Sequence, residues 1–406
     1  MSTFTLQMNQ IMNFSIYILN KSISLVLCIL PSIFWSQEIV YGPSGYVEYH
    51  KGQLPIIISV PHGGDLIPST IPDRTCNNPV YATDIYTIET GLAIKEALHA
   101  LTGCYPHLII SNLDRKKLDC NRNMSDGACG NPEAEAAWTA FHNFISLAQD
   151  SANNQFANKT FFVDLHGHGN PIDRIELGYL LYDDELELSD ATLNSPQYVG
   201  YSSIQNLVLQ NVNGYAHTEL LKGNYSLGTY LSNLGYPTVP SNTIPFPGIN
   251  NNYYSGGYIT ANHTCYANNE VTNGLQMELN YSNIRDTPLN RETFAIDFSQ
   301  SIIAFIQQHY SLNINGCNSA EIDENINYGL TVFPNPILKG EMLKIIYSGN
   351  DLESYEIFSF AGKSIIKEEI SMPSFSISTE NLEKGAYLMA FRCHNNRLLY
   401  KYISII

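Results

Sequence analysis

The stretch Thr160-Phe161-Phe162-Val163-Asp164-Leu165-His166-Gly167-His168-Gly169-Asn170 decides how the chain is read. Phe161, Phe162 and Val163 form the apolar run of a buried strand, which stops abruptly at Asp164, His166 and His168, separated by glycines. In open α/β sheets, ligands bind in the crevice beyond the carboxyl ends of the strands, and glycine lets the backbone come close to a bound group. His166 is therefore a candidate metal ligand, with Asp164 or a nearby carbonyl orienting its ring from behind. A pair of surface histidines in a Gly-rich turn would look the same in isolation, so the rest of the chain has to decide.

The pattern recurs on both sides. Leu54 to Val60 is a β-branched run that ends at Pro61-His62-Gly63-Gly64-Asp65. A Pro-rich excursion then reaches Thr83-Asp84, after which Ile85, Ile88 and Leu92 begin a helical spacing that runs to Leu101 and stops at Gly103. Asp84 reads as a plain N-cap unless a histidine joins it. A strand from His107 to Asn112 opens into a loop holding Arg115, Asp119, Asn121 and Arg122. Two guanidiniums and an amide are suited to gripping a carboxylate, although a solvated basic turn has the same composition. Asn131-Pro132 starts a helix with the stripe Ala134, Ala137, Trp138, Phe141, Phe144, Ile145 and Ala148; His142 falls off the stripe and reads as a surface residue.

Beyond the central strand, Arg174 to Tyr182 is expected to be the next strand, with Arg174 near the cleft. A helix over Ser226 to Gly235 leads into a long loop, to about Asn273, rich in Pro, Asn, Gly and Tyr and expected to wall a pocket. Gly274 to Asn280 is a further buried strand carrying Glu278, either a salt-bridged structural residue or a general base. A helix from about Asn290 to Tyr310 closes this region. After a polar linker, short alternating runs between turns give a small β-sandwich. The expected organisation is a signal peptide over 1–36, a catalytic domain over 37–312, a linker over 313–328 and an all-β sandwich over 329–406.

Composition narrows the function. With 38 acidic against 21 basic residues the net charge is -17, which excludes nucleic acid as a partner, because phosphate binding needs clustered Lys and Arg. Lys21 followed by an apolar segment from Ser22 to Trp35, broken by Pro31, reads as a signal peptide cut near Ser36 and not as a stable membrane span. Leu27 before Cys28 argues against a lipid anchor. The remaining cysteines, Cys76, Cys104, Cys120, Cys129, Cys265, Cys317 and Cys393, contain no Cys-x-x-Cys pair, so a zinc ribbon is not expected. In an oxidising compartment some should be bridged, and Cys120 with Cys129 is the preferred pair.

Histidine, Arg-Asn loop, Asp-x-His and glutamate, each at the end of a strand, point to one shared site. Two neutral imidazoles and a carboxylate leave an open zinc position for water, whose pKa falls to about 7, and a separate glutamate can shuttle the proton. Pro61-His62-Gly63-Gly64, Arg115 with Asp119-x-Asn121-Arg122, and Asp164-Leu165-His166-Gly167-His168 resemble the N-formylglutamate amidohydrolase family, itself similar in fold to zinc carboxypeptidases. The resemblance covers about 54–286. It implies an α/β fold with a mixed sheet flanked by helices and zinc on His62, Asp84 and His166. It implies Glu278 as the base, a substrate carboxylate held by Arg115, Asn121 and Arg122, and Arg174 on the carbonyl or acyl group. Asp65 is the alternative to Asp84, and His168 the alternative to His166. The expected activity is cleavage of an amide beside a free carboxylate, in an N-acyl amino acid or peptide. A metallocarboxypeptidase and a non-catalytic secreted binding protein are the alternatives. Val332-Phe333-Pro334-Asn335-Pro336, Gly362-Lys363 and the run from Leu382 to Tyr387 resemble the C-terminal sorting domain of the type IX secretion system, which implies export and a contact with that machinery.

Overall fold

β-Branched and aromatic runs pair into an eight-stranded mixed sheet in the order β1-β2-β4-β3-β5-β8-β6-β7. Its strands are β1 (Ile39–Tyr41), β2 (Val47–His50), β3 (Ile56–Val60), β4 (His107–Ser111), β5 (Phe161–Gly167), β6 (Ile175–Gly178), β7 (Thr238–Val239) and β8 (Asn273–Leu279). The computed structural model describes residues 37–406 except 249–250, 268–269, 315, 317–329, 348, 350, 360–362, 371, 373 and 395–397. The expected signal peptide, nearly all of the expected linker and Cys317 lie outside the described residues.

The four central strands, β4, β3, β5 and β8, run parallel and are apolar on both faces, as a sheet covered by helices on both sides requires. Alternation sorts their side chains. Ile56, Ile58 and Val60 face helices α1 (Thr87–Thr102) and α4 (Pro288–Tyr310), where Ile94, Leu98, Phe298 and Ile302 fill the gap. Ile57, Ile109 and Phe162 face helix α2 (Pro132–Phe156), through Ala137, Phe141 and Ile145. Each such side chain contributes roughly 1.5–3 kcal/mol by leaving water. A short helix, α3 (Tyr258–His263), lies inside the long loop.

Local signals set the helix ends. The Asn131 side chain accepts hydrogen bonds from the backbone N–H of Glu133 and Ala134, with Pro132 in the first turn. Gly103, at φ 74°, ends α1 by donating to the His99 carbonyl. The start of α1 differs from expectation. Tyr86, at φ 65°, precedes the helix, and Asp84 gives only its carbonyl to Thr87, so its carboxylate is not a cap. His142 is also corrected: it is buried, with Nδ1 2.7 Å from His263 Nε2 and Nε2 donating to the Cys120 carbonyl. The stripe is wider than the sequence indicated because α3 packs over its edge.

The disulfide expectation is corrected as well. Cys129 bonds Cys76, while Cys120 is a fully buried thiol in the core between sheet and α2. Cys120 faces inward next to Asp119, whereas Cys129 lies at the loop surface at φ 50°. Cys104 is also disulfide-bonded.

The C-terminal region forms two antiparallel sheets, three-stranded β13-β10-β9 and four-stranded β12-β11-β14-β15. Their strands are β9 (Leu330–Phe333), β10 (Met342–Tyr347), β11 (Leu352–Ser359), β12 (Ser364–Glu369), β13 (Ser374–Ser378), β14 (Gly385–Cys393) and β15 (Leu398–Ile405). Leu343, Ile345, Ile357, Met389, Phe391, Ile403 and Ile405 form a core of their own. β9 was hidden in the sequence because Pro334 and Pro336 follow it closely.

Candidate metal and catalytic site

Three parallel strands end at one place. His62 lies just past β3, Asp164 and His166 close β5, and Glu278 closes β8. Register makes the juxtaposition unavoidable: Ser59 pairs with Asp164, Asp164 with Gln276, and His166 with Glu278. Asp84 arrives from the segment before α1 and is fixed by the Gly167 N–H, 3.1 Å from its Oδ2.

One ligand atom from each of His62, Asp84 and His166 lies within 4.8 Å of the other two. Asp84 Oδ2 is 3.2 Å from His166 Nδ1 and 3.5 Å from His62 Nδ1. Each ring is held from behind by a buried carboxylate. His62 Nε2 donates to Asp119 Oδ1 at 2.7 Å, and His166 Nε2 donates to Asp164 Oδ2 at 2.9 Å. Asp164 Oδ1 in turn accepts from Ser59 at 2.6 Å.

Those contacts fix the tautomers. An ionised carboxylate only accepts, so both Nε2 atoms carry a proton, and in the neutral ring each Nδ1 turns a lone pair toward the Asp84 oxygen. His62 Nδ1 is buried without a hydrogen-bond partner. Two lone pairs and a carboxylate oxygen facing each other in a buried space repel unless a cation lies among them. The donor set therefore fits a metal ion, with carboxylate-anchored imidazoles of the kind that metal sites use.

The electrostatics agree. Burial alone would raise Asp84, but with no metal bound His166 and His62 can each carry a proton on Nδ1 toward it, and this outweighs burial and holds the carboxyl well below the usual range. Burial likewise opposes ionisation of Asp119, but His62, with Arg115 and Arg74, prevails and keeps it ionised. Burial works against a charged His166, yet Asp164, Asp84 and Glu278 together push its pKa well up. A ring so surrounded by acids holds a positive charge readily, whether a proton or a metal ion, and binding the metal releases the proton. Burial pushes Glu278 up to about 8, opposed by His166 and reinforced by Asp84. Its Oε1 is 3.9 Å from His166 Nδ1 and accepts from Gln276 Nε2 at 2.9 Å.

The basic residues divide. Arg115 is beside the cluster, with Nη1 3.7 Å from Asp84 Oδ1 and Nε donating to Asp119 Oδ2 at 3.1 Å. Arg122 Nε is 3.5 Å from the same Asp119 oxygen, and its Nη1 and Nη2 donate to the carbonyls of Asn77 and Asn78. Asn121 Oδ1 caps the Ile259 N–H, so this residue joins the loop wall to the site. Arg174 is a brace: it is buried, and three of its donors go to Glu176 and to the carbonyls of Pro247 and Asn252 in the long loop. Asp65 is exposed and outside the cluster. His168 Nε2 donates to the Arg174 carbonyl and its Nδ1 accepts from Asn170 N–H, so both nitrogens are occupied away from His62.

Sequence reasoning passed over three contributors. Arg74 is fully buried against Asp119. Arg285 is buried across Gly167, donating to the carbonyls of Leu279, Ile85 and His168. Gln276 alone left a signal, two residues before Glu278 on the same face of a strand.

Residues 331–405 match the secretion system C-terminal sorting domain family. That domain marks the chain as a secreted or cell-surface protein delivered by the type IX machinery. No helix among the described residues is long and apolar enough to cross a membrane. No curated protein matches the chain. Among solved structures, a DUF3244 family protein with an immunoglobulin-like β-sandwich fold from Bacteroides vulgatus is 19% identical, covering 19% of this chain and 85% of its own, with a TM-score of 0.17. CopC from Methylosinus trichosporium is 13% identical, covering 19% of this chain and 90% of its own, with a TM-score of 0.15.

Proposed function

We propose that this exported chain is a zinc-dependent hydrolase of amide bonds that lie beside a free carboxylate, similar to the N-formylglutamate amidohydrolase family and built on a zinc carboxypeptidase-like sheet. The observation that carries the reading is the pair of Nδ1 lone pairs on His62 and His166, turned onto one Asp84 oxygen, with Glu278 alongside. Two imidazoles and a carboxylate are the ligand set of catalytic zinc, which, when bound, polarises a carbonyl and makes water acidic enough to lose a proton near pH 7.

The chain's own residues do the rest. Glu278 takes a proton from the attacking water and returns it to the leaving amine; burial raises its affinity for protons, and a cation held by Asp84 and His166 would bring it back toward the ionised form that accepts one. Asp119 and Asp164 keep the two rings in the tautomer that leaves Nδ1 free. Arg115 and Arg122, with Asn121, take the substrate carboxylate; both guanidiniums are held by Asp119, and Arg122 also by the Asn77 and Asn78 carbonyls, which reduces the entropy lost on binding. Arg174 and Glu176 hold the loop wall at Pro247, Asn252 and Tyr254.

Metal analysis of the purified chain together with turnover of N-acyl amino acids and short peptides tests this. Glu278→Gln is expected to retain zinc and lose roughly 10²–10⁴-fold in kcat. A zinc-free protein, or a Glu278→Gln variant as fast as wild type, refutes it. Stepwise loss of C-terminal residues across the peptide panel would move the assignment to a carboxypeptidase.

A further inference from the structure

We propose that the Cys76–Cys129 disulfide, together with the buried guanidinium of Arg74, sets the metal affinity of this site, so that the centre becomes competent only once the bond has formed outside the cytoplasm. The inference rests on reading His62, Asp84 and His166 as a metal site, and concerns its regulation.

The site draws on two irregular segments. One runs from His62 to Asp84 and carries a ligand at each end; the other, Asn112 to Asn123, carries Asp119, the carboxylate behind His62. Between Arg74 and Asp84 every side chain is exposed or half-buried, so no apolar packing fixes this stretch. Arg115 and Arg122 reach across to the carbonyls of Ala82, Asn77 and Asn78 from the Asp119 loop, and two stronger ties, a buried guanidinium and a disulfide, join the segments at their start. Arg74 donates from Nε to the Arg115 carbonyl at 2.9 Å, from Nη1 to the Asp126 carbonyl at 3.2 Å and from Nη2 to its own segment at the Val80 carbonyl, 2.6 Å away. The same Nη2 is 3.4 Å from Asp119 Oδ2, and the Arg74 N–H donates to the Lys116 carbonyl at 2.7 Å. One planar fork thus aligns both segments and the carboxylate that orients His62.

The disulfide closes the assembly two residues further on. It joins Cys76 to Cys129, just beyond Asp126, whose carbonyl Arg74 uses and whose carboxylate accepts from Asn77. Without the bond, Arg74 would have to remain buried on polar contacts alone, at the end of a solvated loop. Both cysteines are half-buried, so the bond is open to exchange. Forming it removes two electrons and two protons from the two thiols. A disulfide-carrying oxidant outside the cytoplasm accepts them and is left as a dithiol. The C-terminal sorting domain sends the chain through such a compartment.

The test is zinc affinity of the full-length chain by chelator competition, with thermal unfolding recorded in parallel. Four forms are compared: oxidised wild type, wild type reduced with a phosphine and desalted, the Cys76→Ser/Cys129→Ser pair, and Arg74→Gln. The expected result is zinc binding about 10–100-fold weaker in the last three, the range typical of lost outer-shell support, with recovery when the reduced wild type is reoxidised by oxidised glutathione. Arg74→Gln keeps both disulfides and tests the guanidinium, while reduction in a Cys104→Ser background tests the Cys76–Cys129 bond alone even if the serine pair does not fold. An affinity within about twofold of oxidised wild type in either the form lacking the Cys76–Cys129 bond or Arg74→Gln overturns the inference while leaving the metal site standing. Absence of zinc from oxidised wild type removes the metal site and the inference together.

Discussion

Around the eight-stranded sheet, His62, Asp119, Asp164, His166, Glu176 and Glu278 are all at most 4% exposed, whereas the sandwich from Leu330 onward buries a single polar side chain among its described residues, Thr379. The sandwich is an ordinary apolar core between two sheets. The larger region places charges where desolvation costs several kcal/mol per ion unless partners converge on them. Buried charge on that scale is retained where the groups share a task, and here five of the six groups belong to one cluster. The family match falls on the sandwich, residues 331–405, whereas the His62–Asp84–His166 cluster lies in the sheet region.

The sharpest way to break this contrast is to remove a ligand. His166→Ala, or stripping zinc with a chelator, is expected to lower turnover by about 10³-fold or more, because the metal supplies several kcal/mol of transition-state stabilisation. Deleting 329–406 should leave kcat/KM within about twofold, since the cores are separate, while abolishing cell-surface delivery. Activity assays and cell fractionation read the two outcomes; loss of turnover on deletion would show that the regions are not independent.

A core truncation reverses the roles. Phe391→Ala is expected to destabilise the sandwich by about 3–5 kcal/mol and to leave zinc affinity unchanged. Calorimetry should show the sandwich transition moving alone.

Acid should act on the other region. Burial pushes His107 and His263 down to about 4, and burial with the neighbouring His263 takes His142 to about 3, from an ordinary 6.5. These rings are neutral in the fold and take up protons on unfolding. Their stabilising contribution is complete above about pH 6.5 and is lost as the pH falls toward 4 and then 3, by up to about 1.4 kcal/mol per ring per pH unit. Denaturant titrations at several pH values should show this slope for the sheet region. A flat response would place these imidazoles in contact with water.

The smallest effect expected is at a helix end. Asn131→Ala removes the side-chain acceptor for the Glu133 and Ala134 N–H groups and should cost about 1 kcal/mol in the sheet region alone, measurable by the denaturant midpoint.

Much of this architecture is legible along the chain. The apolar runs of β3, β5 and β8 announce themselves, and so does the chemistry at their ends, because a strand that stops at His-Gly or Asp-x-His leaves those side chains at the sheet edge. The Asn131-Pro132 start and the Gly103 stop are equally local. The choice of Asp84 over Asp65 is not, since both stand in irregular chain near a predicted strand or helix. Nor is the work of Asp119, which the resemblance places in a carboxylate grip and which the structure also places 2.7 Å from His62 Nε2. His142 looks like a surface residue until α3, more than a hundred positions away, covers it.

Local periodicity marks the central strands, the long helices and their stops, and shows that a small sandwich follows a larger α/β region, although β1, β2, β7, β9 and α3 left no such mark. Periodicity depends on neighbours one to four positions apart, so it can be read from one dimension. It took tertiary packing to show which nitrogen of each histidine faces Asp84, that Asp119 stands behind His62, that Arg74 binds two loops together and that Cys129 reaches Cys76 and not Cys120. Those facts depend on atoms from segments that are distant in sequence meeting within about 3 Å, the hydrogen-bonding range, a proximity no local pattern records.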